Sequence, residues 1–354
     1  MMNKNKFKFD QKVKEKYYVA DYFKKTIQIM EEFELKQRIT MQFFQRNDNV
    51  VLCGIKEVLD LLEFACPNYN DLEIWSLNDG DIINSKEPVL IITGLYKDFG
   101  WLEGMIDGIL SRNTSIATNS KKVIQAAKNK TVVSMLDRAD SYKTLANDGY
   151  ACYIGGFKHF VTQAALEYID DENVQQPLGT MPHALIQAFN GDTLKAAQAF
   201  YKTFPNNNLT VLIDYNNDCV NTAIEVGSYF KDKLYAVRID TSQALVDKYL
   251  QENKDKYPKD AKLNGVSLQL VQEVRNALDR VGCSHTKIIV SSGFTAEKIS
   301  EFESLNAPVD VYGVGSALSQ ININFTGDAV LIDGKEQAKF GRKYIENPRL
   351  KKVK

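Results

Sequence analysis

The chain has 354 residues, with 44 Lys plus Arg against 45 Asp plus Glu, 3 His, and a formal net charge of -1. So even a balance offers no basic face to a nucleic-acid backbone or an anionic membrane, and small-molecule chemistry becomes the better expectation. The five cysteines, Cys53, Cys66, Cys152, Cys219 and Cys283, contain no C-x-x-C pair, which argues against a zinc knuckle or a disulfide framework and favours a reducing cytoplasm.

In chain order, the basic start "MMNKNKFKFD" has no apolar h-region, and no stretch reaches about 18 uninterrupted apolar residues, so neither a targeting segment nor a membrane span is expected. Helical spacing appears in "YFKKTIQIMEEF" and "IKEVLDLLEFA", strand character in "EPVLIITGLY", and a further helix in "WLEGMIDGILS". These elements predict an α+β unit over residues 1–118. From Thr131 onward seven strand-like runs follow: "TVVSMLD", "YACYIG", "QQPLGT", "LTVLIDY", "LYAVRID", "TKIIVSSG" and "VDVYGVG". They alternate with helical patterns in "VTQAALEYI", "TLKAAQAFYKTF", "CVNTAIEVGSYF", "LQLVQEVRNALDRVG" and "AEKISEFESL", as helices covering a parallel sheet require. The expected fold is α/β: an irregular, TIM-like β/α barrel over residues 119–320, attached to the α+β unit. The segment 321–354 contains the hairpin signal "LIDGK" and is expected to return to the N-terminal sheet, because two short strands alone are not stable.

Active sites of such barrels form at the C-terminal ends of the strands. There the sequence puts Asp137 and Arg138, Gly155 and Gly156, Thr180 and His183, Asp214, Arg238 and Asp240, Ser291 to Gly293, and Gly313 and Gly315. "VYGVGSAL" reads either as a plain tight turn or, before a short helical run, as an anion loop whose amides approach a phosphate. "SSGF", with Ser292 and Gly293, offers a second set of donors on the preceding strand. Arg238 and Asp240 stand two apart on a strand and so share a face. They are either an internal ion pair or two ligand contacts, Arg238 for an anion and Asp240 for ribose hydroxyls or Mg2+. Asp214 is either a metal or sugar ligand or a helix N-cap. His183 opens the helix after Pro182 and reads on its own as a structural residue.

Taken together the motifs resemble a known family, the nicotinate phosphoribosyltransferases. The resemblance rests on their order along nearly the whole chain: "DYFKKT", "EPVLIITGLY", "LEGMIDGILSRNTSIAT", "YIGG", "GTMPHAL", "VRIDTS", "SSGF", "YGVGSAL" and "KFGRKYIENPRL". It implies the formation of nicotinate mononucleotide and pyrophosphate from nicotinate and phosphoribosyl pyrophosphate, coupled to ATP hydrolysis, with Mg2+. It also implies a split N-terminal domain and a homodimer whose site the partner completes. By the same resemblance Tyr22 stacks on the pyridine ring across the dimer, Arg138 holds the nicotinate carboxylate with Thr180 nearby, and Arg238 and Asp240 contact phosphoribosyl pyrophosphate. Ser292, Gly293, Gly313, Gly315 and Ser316 line its 5'-phosphate, and His183 is the histidine phosphorylated by ATP.

Three departures from the family pattern accompany the match. Met135, Leu136 and Asp137 stand where relatives carry an aromatic and a glycine before the arginine. Lys158 stands in place of an aspartate after the paired glycines, and Thr241 and Ser242 replace a Ser-Gly after Asp240. These changes keep other readings open: a phosphoribosyltransferase for nicotinamide or quinolinate, or a non-catalytic nucleotide-binding homologue.

Overall fold

A computed structural model describes residues 6–174 and 176–354. The chain begins with α1 (Asp21–Glu32) and β1 (Arg38–Phe44), then β2 (Val50–Val51), α2 (Ile55–Ala65), β3 (Glu73–Ser76), β4 (Ile82–Ile83) and β5 (Leu90–Leu95). After the single turn α3 (Tyr96–Phe99) comes α4 (Glu103–Ala126), 24 residues long. At about 1.5 Å per residue it spans roughly 36 Å. That reach makes it the link between two cores. Ile106 and Leu110 pack with Phe43, Ile74 and Ile92 on one side, whereas Ile116, Ala117 and Val123 pack with Phe160, Val237 and Tyr312 on the other.

The first core lies against an antiparallel sheet of order β13-β12-β1-β5-β3-β14. Three of its strands come from the chain's end: β12 (Thr326–Ile332), β13 (Lys335–Glu336) and β14 (Lys351–Lys352). Strand β12 pairs with β1 from Phe44↔Thr326 to Ile39↔Ile332, and Lys352 pairs with Trp75. Asp333 and Gly334, both at positive φ, form the tight turn between β12 and β13. The tail thus supplies strands to a sheet begun about 290 residues earlier.

The second core fills a parallel sheet of order β7-β6-β11-β10-β9-β8. Its strands are β6 (Thr131–Ser134), β7 (His159–Phe160), β8 (Leu209–Leu212), β9 (Leu234–Ile239), β10 (Lys287–Val290) and β11 (Val311–Val314). The strands follow the chain round, last strand β11 joins first strand β6, and one seam stays open between β7 and β8. The result is a mixed α/β fold with a parallel half-barrel. Four helices cover it, α7 (Thr193–Thr203), α8 (Cys219–Phe230), α10 (Leu268–Arg280) and α11 (Ala296–Ser304), with most of their apolar positions turned to the core, and the short α9 (Lys248–Glu252) lies between α8 and α10 in the chain.

Several sequence expectations are corrected here. "YACYIG" is not a strand but the end of helix α5 (Leu145–Ile154), whose Tyr150, Ala151 and Cys152 are buried. Gly155 and Gly156 therefore close a helix instead of a strand. A Cβ on Gly155 would meet Ser120 Cβ at 2.4 Å and the Ala117 carbonyl oxygen at 2.5 Å, so this glycine serves the α4–α5 contact. "QQPLGT" forms no strand over its described residues: Pro177 has no N–H to give a ladder, and only the Leu178 amide bonds the Phe160 carbonyl, at 2.8 Å. Gln175 lies outside the described residues. "VTQAALEYI" holds only a 3-10 turn at Ala164–Leu166, and the run after Gly315 is a turn, with the Leu318 amide on the Gly315 carbonyl at 2.9 Å. The helix-terminus part of the anion-loop argument for "VYGVGSAL" thus falls away, and only the close approach of its backbone remains.

Candidate active site

The C-terminal ends of the parallel strands gather the charged side chains. Arg238, on β9, is largely buried and donates from Nη1 to Thr180 Oγ1 at 2.7 Å. Its Nε is buried with no hydrogen-bond partner among the described residues. Burial pulls this guanidinium below the ordinary arginine value, Asp240 and Asp214 oppose the fall, and Arg138 adds to it. Asp240, just beyond β9, accepts a 2.6 Å bond from Ser291 Oγ at the end of β10. Arg238 and Asp240 thus turn to different partners, and the internal ion pair is not what they form. An orphan guanidinium donor near a carboxylate with one oxygen unpaired among the described residues is an arrangement suited to an anionic, hydroxyl-bearing ligand.

His183 is the first residue of α6 (His183–Ala188), behind Pro182. Its Nε2 faces both oxygens of Asp214, at 3.3 and 3.4 Å, and its ring lies 6.4 Å from that of Tyr215. The imidazole is 45% exposed and the Asp214 side chain only 7%. Burial raises the Asp214 carboxyl above its ordinary value, and His183 works against the rise. The pairing orients the ring with Nε2 toward the protein and leaves Nδ1 for a ligand. Both residues are legible in the sequence, but their partnership spans 31 residues and two elements, and no local spacing encodes it.

The glycine loops lie alongside. Gly293 has φ +70 and Ser292, unusually for a residue with a side chain, φ +74. Gln243 Nε2 approaches the Ser292 carbonyl at 3.5 Å. Gly313 faces Met135: a Cβ there would meet Met135 Cε at 2.5 Å and Sδ at 2.6 Å, and Gly315 meets the Met135 carbonyl oxygen at 2.9 Å. Ser316 is exposed, and its carbonyl accepts from Ser319 Oγ and Gln320 Nε2, both at 3.3 Å. Met135 therefore fills the space over both glycines where relatives are expected to carry an aromatic.

The remaining expected residues are less enclosed. Arg138 is 84% exposed, with Asp137 Oδ2 at 3.6 Å. Lys158 is tied to Asp171 Oδ2 at 2.5 Å, and Tyr153 donates to the same oxygen at 3.0 Å. Thr241 is buried with its hydroxyl 3.7 Å from Cys219 Sγ, so of the two residues after Asp240 only Ser242 reaches the surface. Tyr22 is not with this group. It stands on α1, with its ring centroid 4.4 Å from that of Phe23, near Tyr96, and is 63% exposed.

Residues 21–114 match the family model of the quinolinate phosphoribosyl transferase N-terminal domain. The chain is 25% identical over 248 residues to a nicotinate phosphoribosyltransferase of Mycobacterium tuberculosis, covering 68% of this chain and 48% of the relative. It is 22% identical over 251 residues to that of Bacillus subtilis, covering 69% and 45%. It thus spans about half the length of the curated relatives it matches. Among solved structures, the nicotinate-nucleotide pyrophosphorylase of Pyrococcus furiosus superposes with a TM-score of 0.81 at 28% identity, over 97% of this chain and 82% of that one. Human nicotinic acid phosphoribosyltransferase gives 0.68 at 14% identity, over 92% and 77%, a likeness of fold. The half-barrel and these likenesses agree: the chain is similar in sequence to nicotinate phosphoribosyltransferases over about two thirds of its length, and in fold to a nicotinate-nucleotide pyrophosphorylase over nearly all of it.

Proposed function

We propose that the chain transfers phosphoribosyl from phosphoribosyl pyrophosphate to nicotinate, giving nicotinate mononucleotide and pyrophosphate for NAD synthesis. The observation that carries this reading is the strand-end pair of Arg238, held by Thr180 with Nε left open, and Asp240, held by Ser291 with one oxygen left open. Together with the loop at Ser292 and Gly293, and with the turn at Gly313–Ser316 on the side that Met135 does not cover, they make the proposed cradle for a charged sugar phosphate. The pyridine nitrogen needs no general base, so the residues act by positioning and by offsetting charge as pyrophosphate leaves the anomeric carbon.

Mg2+ fits this donor set as a substrate-borne ion. The described residues contain no cluster of three metal-ligating side chains, and Mg2+ commonly bridges phosphates with one or two protein carboxylates. Asp240, through its open oxygen, and Asp214 nearby would hold it, and it would neutralise the departing pyrophosphate. ATP enters through His183. With Nε2–H donated to Asp214, the Nδ1 lone pair attacks the terminal phosphoryl group, ADP leaves, and the phosphoryl is later lost to water.

Nicotinate is favoured over quinolinate because the mouth has few free cations. Arg138 is available for one carboxylate, while Lys158 is neutralised by Asp171. The match to a quinolinate-enzyme domain model keeps quinolinate as the second reading. The proposal extends to an α+β unit over 1–118, a barrel over 119–320, a tail over 321–354, a homodimer with Tyr22 reaching the partner's site, and a cytoplasmic location. No helix among the described residues is long and apolar enough to cross a membrane. The test is product formation from phosphoribosyl pyrophosphate and Mg2+ with nicotinate, nicotinamide or quinolinate, with and without ATP. Absence of any pyridine nucleotide overturns the transferase reading, and a quinolinate product without a nicotinate product selects the second.

A further inference from the structure

Arg138 rides on a segment with little structure of its own. Residues 135–144 contain only two 3-10 turns, Leu136–Arg138 and Tyr142–Thr144. An exposed guanidinium on such a segment shares the segment's freedom unless something ties the backbone down. The tie comes from Arg112, in the middle of α4. Its Nε donates to Asp148 Oδ1 at 2.8 Å, and its Nη2 donates to Asp148 Oδ2 at 2.9 Å, Asp140 Oδ2 at 2.7 Å and Thr144 Oγ1 at 3.2 Å. Thr144 Oγ1 in turn donates to Asp148 Oδ2 at 2.8 Å and the Ser141 amide to Asp140 Oδ1 at 2.6 Å.

The two carboxylates do different work. Asp148, on α5, is buried, and its two-point contact with Arg112 joins two helices of the scaffold. Asp140 is 42% exposed and only two residues beyond Arg138, so its bond to Arg112 fixes the loop instead of the core. An ion pair that exposed adds little to global stability. Its effect is local order.

We infer that Arg112 and Asp140 are positioning residues for Arg138, which hold the 135–144 segment so that the guanidinium meets the carboxylate of the base. This rests on the proposed role of Arg138. A lysine at 112 lacks the planar fork that serves Asp148 and Asp140 at once. Asp140→Ala removes the charged one of the two loop contacts, keeping the weaker one at Thr144, and leaves the Arg112–Asp148 pair intact.

The test combines hydrogen exchange with kinetics on the full chain. Amides of residues 136–144 are expected to exchange faster in Asp140→Ala and Arg112→Lys than in the parent, with the melting temperature of Asp140→Ala unchanged. Nicotinate KM is expected to rise by about three- to tenfold in Asp140→Ala, the size of one partly exposed charge-assisted hydrogen bond, with the KM for phosphoribosyl pyrophosphate within about twofold. In an Arg138→Ala background, Asp140→Ala is expected to add nothing, because the two act as one unit. Unchanged exchange overturns the clamp whatever the activity, and additive KM effects overturn its action through Arg138. Faster exchange in a protein that never turns over nicotinate overturns the proposed function of the site and leaves the clamp standing.

Discussion

Gly313 and Gly315 face the same residue but by different atoms, and that difference can be measured. A Cβ on Gly313 would sit 2.5 Å from Met135 Cε and 2.6 Å from Sδ, where ordinary contact begins at 3.4 Å. Those atoms end a flexible side chain that can swing away, so Gly313→Ala is expected to cost about 1–2 kcal/mol. A Cβ on Gly315 would sit 2.9 Å from the Met135 carbonyl oxygen, which is backbone. That backbone is held by the Met135 amide donating to the Val314 carbonyl at 2.8 Å, so it cannot retreat, and the expected cost is about 2–3 kcal/mol. Met135→Ala clears the space over Gly313 and leaves the carbonyl in place. In denaturant unfolding, the Gly313→Ala/Met135→Ala pair is therefore expected to be more stable than the sum of its singles by about 1 kcal/mol, while Gly315→Ala/Met135→Ala adds within about 0.5 kcal/mol. Equal rescue at both glycines, or none at either, refutes the assignment of Met135 as the residue filling this space.

Further outcomes follow from the same geometry. His183→Ala is expected to abolish stimulation by ATP while leaving the ATP-independent rate, and stimulation that survives in this variant refutes the phosphohistidine role. Lys158→Ala is expected to leave the nicotinate KM within about twofold and to change stability by no more than about 1 kcal/mol, because its partner is Asp171 and the pair is partly exposed; a tenfold rise in KM would place Lys158 on the base. Burial lifts Glu103 to about 7 from 4.5 and Asp107 to about 6 from 3.8. A carboxyl raised in the folded state is more easily ionised in the unfolded chain, so stability is lost as pH climbs from the ordinary value through the raised one. Glu103→Gln is accordingly expected to raise the melting temperature relative to the parent at pH 8 by more than at pH 4, and equal shifts at both pH values would show that burial does not perturb Glu103.

The sequence discloses elements best where period and length agree. The apolar faces of α2 and α10, and the strands ending at Asp214, Asp240 and Ser291, lie where spacing puts them. "YACYIG" misleads because Tyr, Cys and Ile favour strands in isolation, whereas the small Ala151 and Gly155 let a helix press against α4, a tertiary gain that local preference does not contain. The true neighbour of β6 is the two-residue His159–Phe160, too short for any period to register. At the site, residue types were legible and partnerships were not. Thr180 with Arg238 spans 58 residues, Ser291 with Asp240 spans 51, and Arg112 in the helical "SRNTS" carries no mark of its four bonds.

The open seam between β7 and β8 has a further consequence. A fully closed barrel surrounds its mouth with staves that share hydrogen bonds on both edges, so no part of the rim moves alone. Here one stretch of rim is irregular chain, attached by the Leu178 amide to Phe160 and by the Thr180 hydroxyl to Arg238. The second attachment uses the very guanidinium that an anionic ligand would claim. Under the proposed function the irregular rim and the ligand thus share one side chain through different nitrogens, Thr180 on Nη1 and the ligand on Nε.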